Sequence, residues 1–412
     1  MADFELCCTE CGQRYREDPK LLVCPACAER QEPGLPTRGV LEVVLHTVPE
    51  SWPQAAPSSP EFLRAFLPIG PGGPLPAIPV GGTPLLPAPG LREALGTPRL
   101  WLKDDTLNPS GSTKDRASWL VVAKAMEYGY STVATASTGN AATALAAVAA
   151  ASGIRAVVFV PDSAPPAKLT QMLSYGAEVL PVAGTYDQAF ELCLSACEEF
   201  GWYNRNTALN PFTVEGKKTA ALEIAFDLAP GEPDVVVVPT GDGVILAGIA
   251  KGFADLRTGG LMEATPRLLA IQPSGAAAIV EAWQAGATEI RPIPGAASVA
   301  DSLTVEAPRN ALLCLRRIRE SGGAALAVQD PEILEAIPSL ARTSGVLAEP
   351  AAAAAVAGLK AALSKGLVRR DEQIVLLITG HGLKDLSGAS RSVVRPEPID
   401  PRLEAVAKRL GV

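Results

Sequence analysis

Lys114 is the residue of this 412-residue chain best placed for covalent chemistry. The stretch 108–113 before it is rich in turn formers and ends on two candidate helix N-caps, Ser112 and Thr113. Residues 117–126 then have the apolar pattern of a helix. A neutral lysine on the first turn of a helix can attack a carbonyl and hold it as a Schiff base. Most lysines at such positions are solvated surface residues, so Lys114 alone does not establish this chemistry.

Further polar loops follow predicted strands. Ser137–Asn140 follows a strand predicted at 131–136, and its hydroxyls and backbone amides suit a carboxylate. Thr240–Val244 follows the valine run 235–238, and its two glycines let backbone amides converge on a phosphate. Thr379–Asp385 ends the last long predicted strand, and its threonine hydroxyl can bond a ring nitrogen. Each loop, taken alone, is also explained by an ordinary tight turn.

Short apolar strands and helices alternate from residue 81 onward. This alternation predicts an α/β fold with parallel sheets and helices on both faces. Ligands bind such sheets at the carboxyl ends of the strands, where the polar loops fall. The strands predicted are 100–103, 131–136, 156–161, 178–182, 235–238, 268–272 and 374–379, and helices are predicted at 116–128, 141–152, 165–175 and 245–253.

Five of the eight cysteines lie within residues 1–27. Cys8 and Cys11 form one C-x-x-C pair, and Cys24 and Cys27 form another. Four thiolates in two such pairs satisfy a tetrahedral Zn²⁺, which predicts a structural zinc ribbon. Cys7 offers an alternative ligand to Cys8, although Cys8 gives the more regular spacing.

Composition excludes several classes of function. The chain has 36 basic and 44 acidic residues, a formal charge of −8, which argues against nucleic acid as a partner. Its two histidines leave little room for histidine-based catalysis. No run of 18 strongly apolar residues predicts a membrane span, and residues 1–5 lack the features of a secretory signal. A cytoplasmic protein is expected.

The motifs together resemble the threonine synthases, which belong to the pyridoxal-phosphate enzymes of the tryptophan synthase β-subunit fold. The resemblance spans about residues 80–390 and extends to the cysteine ribbon that many threonine synthases carry. It is carried by Asn108-Pro109-Ser110-Gly111-Ser112-Thr113-Lys114-Asp115-Arg116, Ser137-Thr138-Gly139-Asn140 and Thr379-Gly380-His381-Gly382-Leu383-Lys384-Asp385.

The resemblance implies a two-domain α/β protein of pyridoxal-phosphate fold type II behind an N-terminal zinc-ribbon-like module. Proteins of this fold are often dimers, so a homodimer is one expected assembly. The expected parts are a zinc-ribbon-like module (1–30), a Pro-rich linker with one strand (31–80), a large cofactor domain (81–115 and 206–395), a small α/β domain (116–205) and a C-terminal helix or tail (396–412).

The resemblance also implies residue roles around pyridoxal 5′-phosphate. Lys114 would be the Schiff-base lysine and, once released, the proton shuttle. Asn140 would bond the cofactor's 3-hydroxyl, and Thr379 its pyridine nitrogen. The implied phosphate cup is Gly241, Asp242, Gly243 and Val244, and Ser137 and Thr138 would bind the carboxylate of a small amino-acid substrate.

One departure concerns the substrate. Threonine synthases tend to have an arginine, which grips the substrate phosphate, where this chain has Thr213. Threonine cannot do this, and Lys217 or Lys218 is either a substitute charge or a solvated helix residue. Glu349 opens a predicted helix near the site, but a helix start with Pro350 at its first position explains it equally well, so Glu349 is left out of the catalytic set.

Three functions follow as hypotheses. The first is a lyase that converts O-phosphohomoserine and water to threonine and phosphate. The second is another β-elimination or β-replacement enzyme of the same fold, such as a threonine/serine dehydratase or a cysteate synthase-like enzyme. The third, a non-catalytic protein that binds pyridoxal phosphate or amino acids, explains the reactive-lysine loop poorly.

Overall fold

The computed structural model describes residues 3–164 and 166–412. Its strands are β1 (Phe4–Cys8), β2 (Arg14–Tyr15), β3 (Leu41–Leu45), β4 (Leu85–Leu86), β5 (Leu100–Asp104), β6 (Thr132–Ala136), β7 (Arg155–Pro161), β8 (Glu178–Val182), β9 (Tyr203–Asn204), β10 (Val235–Pro239), β11 (Arg267–Pro273), β12 (Ala324–Val328) and β13 (Ile374–Ile378). Its α-helices are α1 (Pro25–Ala28), α2 (Pro60–Phe66), α3 (Pro89–Leu95), α4 (Lys114–Glu127), α5 (Asn140–Ser152), α6 (Pro166–Ser174), α7 (Tyr186–Phe200), α8 (Phe212–Lys217), α9 (Thr219–Leu228), α10 (Val244–Thr258), α11 (Ala278–Gln284), α12 (Ala311–Glu320), α13 (Asp330–Ser344), α14 (Pro350–Ser364), α15 (Leu386–Ser390) and α16 (Leu403–Leu410).

A six-stranded sheet forms the larger core, in the order β12-β11-β10-β13-β5-β4. Its neighbours pair in parallel, except that the short edge strand β4 runs antiparallel to β5. Successive valines of β10 point to opposite faces: Val235 and Val237 pack with α13 and α14, whereas Val236 and Val238 pack with α9 and α10. Because both faces are buried, the strand is apolar throughout, as expected for a parallel sheet covered by helices.

A four-stranded sheet, β8-β7-β6-β9, is parallel throughout. Helices α4 and α5 cover one face and α7 covers the other. All its strands fall within 116–205, and those of the larger sheet fall within 81–115 and 206–395. The division into domains remains a prediction.

The cysteine-rich segment forms an antiparallel sheet, β2-β1-β3. Strand β3, which comes from the Pro-rich segment, pairs along the whole of β1 from Phe4↔Leu45 to Cys8↔Leu41. This sheet packs against the body of the protein, with the ring of Phe4 edge-on to that of Phe212 at 5.9 Å.

Other elements follow the predictions closely. Cys193, Cys197 and Cys314 are buried core residues, as their apolar surroundings suggest. The helix predicted at 165–175 is α6, and residue 165 lies outside the described residues. No helix of the described part of the chain is long and apolar enough to span a membrane.

A buried ion network fixes the start of α4. The Arg116 guanidinium donates to both oxygens of Asp105, at 2.8 and 2.7 Å, and to both oxygens of Glu223, at 2.5 and 2.8 Å. Lys103 adds a second cation, 2.8 Å from Glu223. Arg116, Asp105 and Lys103 have no exposed side-chain surface, so each charge depends on its partners.

Replacing Glu223 tests this network. Burial alone would raise the pKa of Glu223, but Arg116 and Lys103 lower it to about 2. Glu223→Gln leaves two buried cations short of a counter-charge, and we expect a loss of about 3–5 kcal/mol in unfolding free energy, measured from urea midpoints. The wild-type stabilisation is complete above the ordinary glutamate pKa of 4.5 and is lost as the pH falls towards 2.

Glu335→Gln is the matched control, because Glu335 is exposed and pairs with Lys360 on the surface. Its loss should stay below about 0.5–1 kcal/mol. Equal losses in the two variants would contradict a special role for the buried network.

Candidate active site

A cavity of about 210 Å³ lies at the carboxyl ends of β6 and β10. Most of the predicted site residues line it together: Lys114, Ser137, Thr138, Asn140, Gly241, Asp242, Gly243 and Val244. Thr379 is not among the described residues that line this cavity. The loops after β5, β6 and β10 therefore converge as expected from the parallel sheets.

Lys114 is the first residue of α4, and the loop that carries it is bonded to the end of β13. The Thr113 amide donates to the Thr379 carbonyl at 2.9 Å, and the His381 amide donates to the Gly111 carbonyl at 2.9 Å. The Lys114 Nζ has no hydrogen-bond partner among the described residues. Burial lowers the pKa of Lys114, while the carboxylates of Glu349 and Asp242 oppose that shift. A lysine with a lowered pKa carries more of the neutral amine that attacks a carbonyl.

Asp115 closes the turn in front of Lys114. Its carboxylate accepts from the Ser110 amide at 2.7 Å and from the Ser110 hydroxyl at 2.5 Å. Burial raises the pKa of Asp115 to about 6, against the effect of these hydrogen bonds. The Gln171 side chain donates to the Ser110 carbonyl at 3.2 Å and accepts from Lys384 at 2.5 Å. The lysine loop is thus bonded on both sides.

Asn140 meets a carboxylate that sequence reasoning left out of the site. Its Nδ2 donates to the two Glu349 oxygens, at 3.0 and 3.2 Å. Glu349 is 3% exposed. Burial raises the pKa of Glu349 to about 7, although the bond from Asn140 and the charges of Lys114 and Lys384 act in the opposite direction. A group that titrates near neutrality beside a reactive amine is a candidate functional residue.

The start of α5 presents backbone donors to the cavity. The Gly139 amide donates to the Ser137 hydroxyl at 3.2 Å, and the Thr143 amide donates back to the Gly139 carbonyl at 3.3 Å. Among the described residues, the amides of Asn140 and Ala141 have no acceptor, and both residues line the cavity. A helix N-terminus with free amides and adjacent hydroxyls suits a carboxylate.

The glycine loop after β10 presents a second set of donors. Gly243 has φ +89°, and a Cβ there would collide with Cys314, so this position requires glycine. The Ala247 amide bonds the Gly243 carbonyl at 3.1 Å, whereas Val244, Ile245 and Leu246 have no acceptor for their amides among the described residues. These amides open the 15-residue helix α10 onto the cavity, which suits a phosphate.

Thr379 lies just past β13, next to the lysine loop, and is 5% exposed. Its carbonyl accepts from Thr113, and its hydroxyl has no partner among the described residues. The hydroxyl therefore keeps its hydrogen-bonding capacity beside the lysine loop.

Thr213, Lys217 and Lys218, the residues considered for binding a substrate phosphate, have different surroundings. Thr213 is fully buried, and its hydroxyl donates to the Asn210 carbonyl at 2.7 Å. Lys218 is paired with Glu215 and, at 2.8 Å, with Asp255. Lys217, in contrast, lines the cavity, and its Nζ has no hydrogen-bond partner in the described part of the chain. Sequence reasoning could not choose between the two lysines.

The residues present fit pyridoxal phosphate. Lys114 supplies an unpaired amine inside a polar cavity, and the amides at the start of α10 supply a phosphate site. Asn140 lines the cavity and Thr379 is bonded to the lysine loop, and both carry hydrogen-bonding side chains.

Sequence reasoning also missed Asn206 and Arg309, which line the cavity. Asn206 accepts from the Thr135 hydroxyl at 3.1 Å and the Ala136 amide at 2.8 Å, so it fixes the end of β6. Arg309 lies over the Phe190 ring, 3.8 Å from its centroid. Neither residue has a local motif that would have marked it.

The predicted metal ligands also come together. The sulfur atoms of Cys8, Cys11, Cys24 and Cys27 lie within 4.8 Å of one another. The Cys8–Cys27 and Cys11–Cys24 sulfur distances are both 3.7 Å. Zn–S bonds of about 2.3 Å in a tetrahedron place sulfur atoms about 3.8 Å apart, so the four thiols fit this ion. Cys7 is outside this group, with its sulfur 3.7 Å from the Gly12 carbonyl.

Comparisons with known proteins identify the family of the chain. Residues 77–380 match the family described as pyridoxal-phosphate dependent enzyme. The chain is 36% identical to a threonine synthase of Methanosarcina acetivorans, over 99% of this chain and 98% of that protein. It is 40% identical to a threonine synthase of Methanocaldococcus jannaschii, over 78% of this chain and 79% of that protein.

Solved structures share the fold. The processed form of threonine deaminase isoform 2 from Solanum lycopersicum aligns with a TM-score of 0.66 at 22% identity, over 76% of this chain and 88% of that one. The threonine deaminase of T.th. aligns with a TM-score of 0.62 at 28% identity, over 72% of this chain and 92% of that one. The family match and the long alignments to threonine synthases decide the assignment: the chain belongs to the pyridoxal-phosphate-dependent enzymes and, within them, to the threonine synthase family.

Proposed function

We propose that this enzyme converts O-phosphohomoserine and water to threonine and phosphate. The observation that carries the proposal is the alignment to a threonine synthase along almost the whole chain, ribbon included. The cavity supports it, because one amine, two sets of free backbone amides and an unpaired cation face one small polar space.

In the proposed site, Lys114 would hold pyridoxal phosphate covalently. Asn140 would bond its 3-hydroxyl, and Thr379 would bond its pyridine nitrogen. Gly241, Asp242, Gly243 and Val244 form the phosphate cup. Ser137 and Thr138 orient the carboxylate of the substrate. The bound cofactor supplies an electron sink for negative charge that develops at the α carbon of an amino acid.

Lys114 then acts as the base. Once the substrate amine has released it from the cofactor, the Lys114 Nζ would remove the α proton and one β proton. It would return protons to the γ and α carbons, while phosphate leaves from the γ carbon and water adds at the β carbon. The lowered pKa of Lys114 favours the neutral amine that this step requires. The carboxylate of Glu349, held by Asn140, offers a counter-charge to the protonated form of Lys114.

Turnover of O-phosphohomoserine tests the proposal. Purified enzyme should release equal amounts of inorganic phosphate and threonine. Lys114→Ala should lose the near-visible absorbance of covalently held cofactor and at least about 10³-fold in turnover, because nucleophile and base are removed together. Lys360→Ala is the control, because it removes a lysine on the surface and should leave turnover unchanged.

The same assay decides the alternative. Ammonia and a 2-oxo acid released from threonine or serine, without phosphate release from O-phosphohomoserine, would identify a dehydratase. The fold shared with threonine deaminases makes this the relevant comparison.

We also propose that Cys8, Cys11, Cys24 and Cys27 bind one structural Zn²⁺. Metal analysis should find about one zinc per chain, and Cys11→Ser should lose it and lower the melting temperature, because metal binding contributes directly to folding. Cys7→Ser is the matched control and should keep the metal, since the Cys7 sulfur bonds outside the cluster. Zinc loss in Cys7→Ser with retention in Cys8→Ser would reverse the ligand assignment.

Glu349 gives a pH prediction for the cofactor-free protein. Its pKa is about 7 in the folded chain, against 4.5 for an ordinary glutamate. Between these values the folded state binds more protons than the unfolded state, so stability falls as the pH rises from 4.5 through 7. Glu349→Gln keeps an acceptor for Asn140 and should be more stable than wild type at pH 8 by on the order of 3 kcal/mol. Identical pH profiles of urea midpoints for the two proteins would contradict this.

A further inference from the structure

Lys217 is a buried lysine whose amine has no hydrogen-bond partner among the described residues. It ends α8, is 1% exposed and lines the active-site cavity. Its stem is held against α10, where a Cβ at Gly248 would lie 2.7 Å from the Lys217 Cβ. No acceptor among the described residues lies within hydrogen-bond reach of its Nζ. Burying an ammonium without an acceptor is unfavourable, so this amine would carry its positive charge only with an anion beside it.

A second cation stands behind it. Arg205 is fully buried, and it donates only to neutral hydroxyls, those of Ser118 at 3.1 Å and Thr207 at 2.7 Å. Its Nη2 has no partner in the described residues. Burial, together with the charges of Lys114 and Arg205, lowers the pKa of Lys217 well below its usual value, and only Asp242 acts against this shift. A dianion in the cavity would reverse this effect and restore the charged lysine.

The phosphate of the cofactor and the carboxylate of the substrate already have proposed binding groups. The phosphate of the cofactor belongs to the free amides at the start of α10, and the carboxylate of the substrate belongs to Ser137 and Thr138. Lys218 is neutralised by Glu215 and Asp255, and the Thr213 hydroxyl is bonded within its own turn. The remaining anionic group of O-phosphohomoserine is its phosphate. Besides Lys114, the described residues lining the cavity include two basic side chains, Arg309 and Lys217. Arg309 pairs with Asp187 at 3.4 Å, whereas the Lys217 Nζ has no partner among the described residues, so Lys217 is the better candidate for this phosphate.

We infer that Lys217 binds the phosphate of the substrate, that the buried Arg205 adds positive potential, and that Lys217 thereby determines specificity for a phosphorylated amino acid. This inference rests on the proposed function. It names the residue that takes over the task for which Thr213 is unsuited.

The test uses the holoenzyme and inorganic phosphate as the probe. Lys217→Gln should weaken phosphate binding, measured by isothermal titration calorimetry, by about 10- to 100-fold, which corresponds to one charge-assisted hydrogen bond. The KM for O-phosphohomoserine should rise by a similar factor, while cofactor content and near-visible absorbance stay unchanged. Lys217→Arg should retain phosphate binding, and Lys360→Gln, which removes a surface charge, should match wild type.

Two outcomes overturn the inference, and a third separates it from the proposed function. Unchanged phosphate affinity in Lys217→Gln would exclude the site, as would unchanged affinity in Lys217→Met if the glutamine variant fails to fold. Loss of cofactor with unchanged phosphate affinity of the loaded fraction would assign Lys217 to the cofactor instead. If wild type binds phosphate through Lys217 but does not turn over O-phosphohomoserine, the anion site stands and the proposed function fails.

Discussion

The buried guanidinium of Arg116 is the constraint on which the site depends. It is held bidentately by Asp105 just after β5 and by Glu223 on α9. The chain between Asp105 and Arg116 is therefore closed at both ends, and Lys114 lies inside that closed loop. A lysine that must attack at a defined point needs such a rigid base, because its own side chain has four rotatable bonds. The buried charges of the network fix the position of this loop. Removing one of them would leave its partners buried without a counter-charge.

Much of the site follows from sequence because parallel strands end at one edge of a sheet. The loops at Lys114, Ser137 and Gly241 could be assigned to one place once the strands before them were recognised, since topology does the rest. The cysteine cluster could also be predicted, because two C-x-x-C pairs have the spacing typical of tetrahedral metal sites. In each case a local pattern specifies the chemistry, and the distance between patterns along the chain does not matter.

The residues that sequence could not place are those whose role depends on packing. Glu349 contacts Asn140 across 209 positions of sequence. The Glu349 amide donates to the Gly380 carbonyl at 3.0 Å, and Lys384 of the same loop donates to Thr143 on α5, the helix that begins with Asn140. Lys217 and Lys218 are neighbours on a short helical segment, where successive residues point about 100° apart. One therefore faces the cavity, and the other faces Glu215 and Asp255. Two identical side chains acquire opposite roles because of the rotation of one helix.

The ribbon takes part in the same packing. Val40, which follows Cys27 in the chain, shares a small apolar cluster with Val214 on α8 and Val244 at the start of α10. The Thr37 amide donates to the carbonyl of Arg309, whose side chain lines the cavity. The segment that joins the cysteines to β3 thus packs against the start of α10 and against α8, the helix that carries Lys217. A change in the order of the cysteine cluster would reach these helices through direct contacts, so the ribbon packs behind elements that line the cavity.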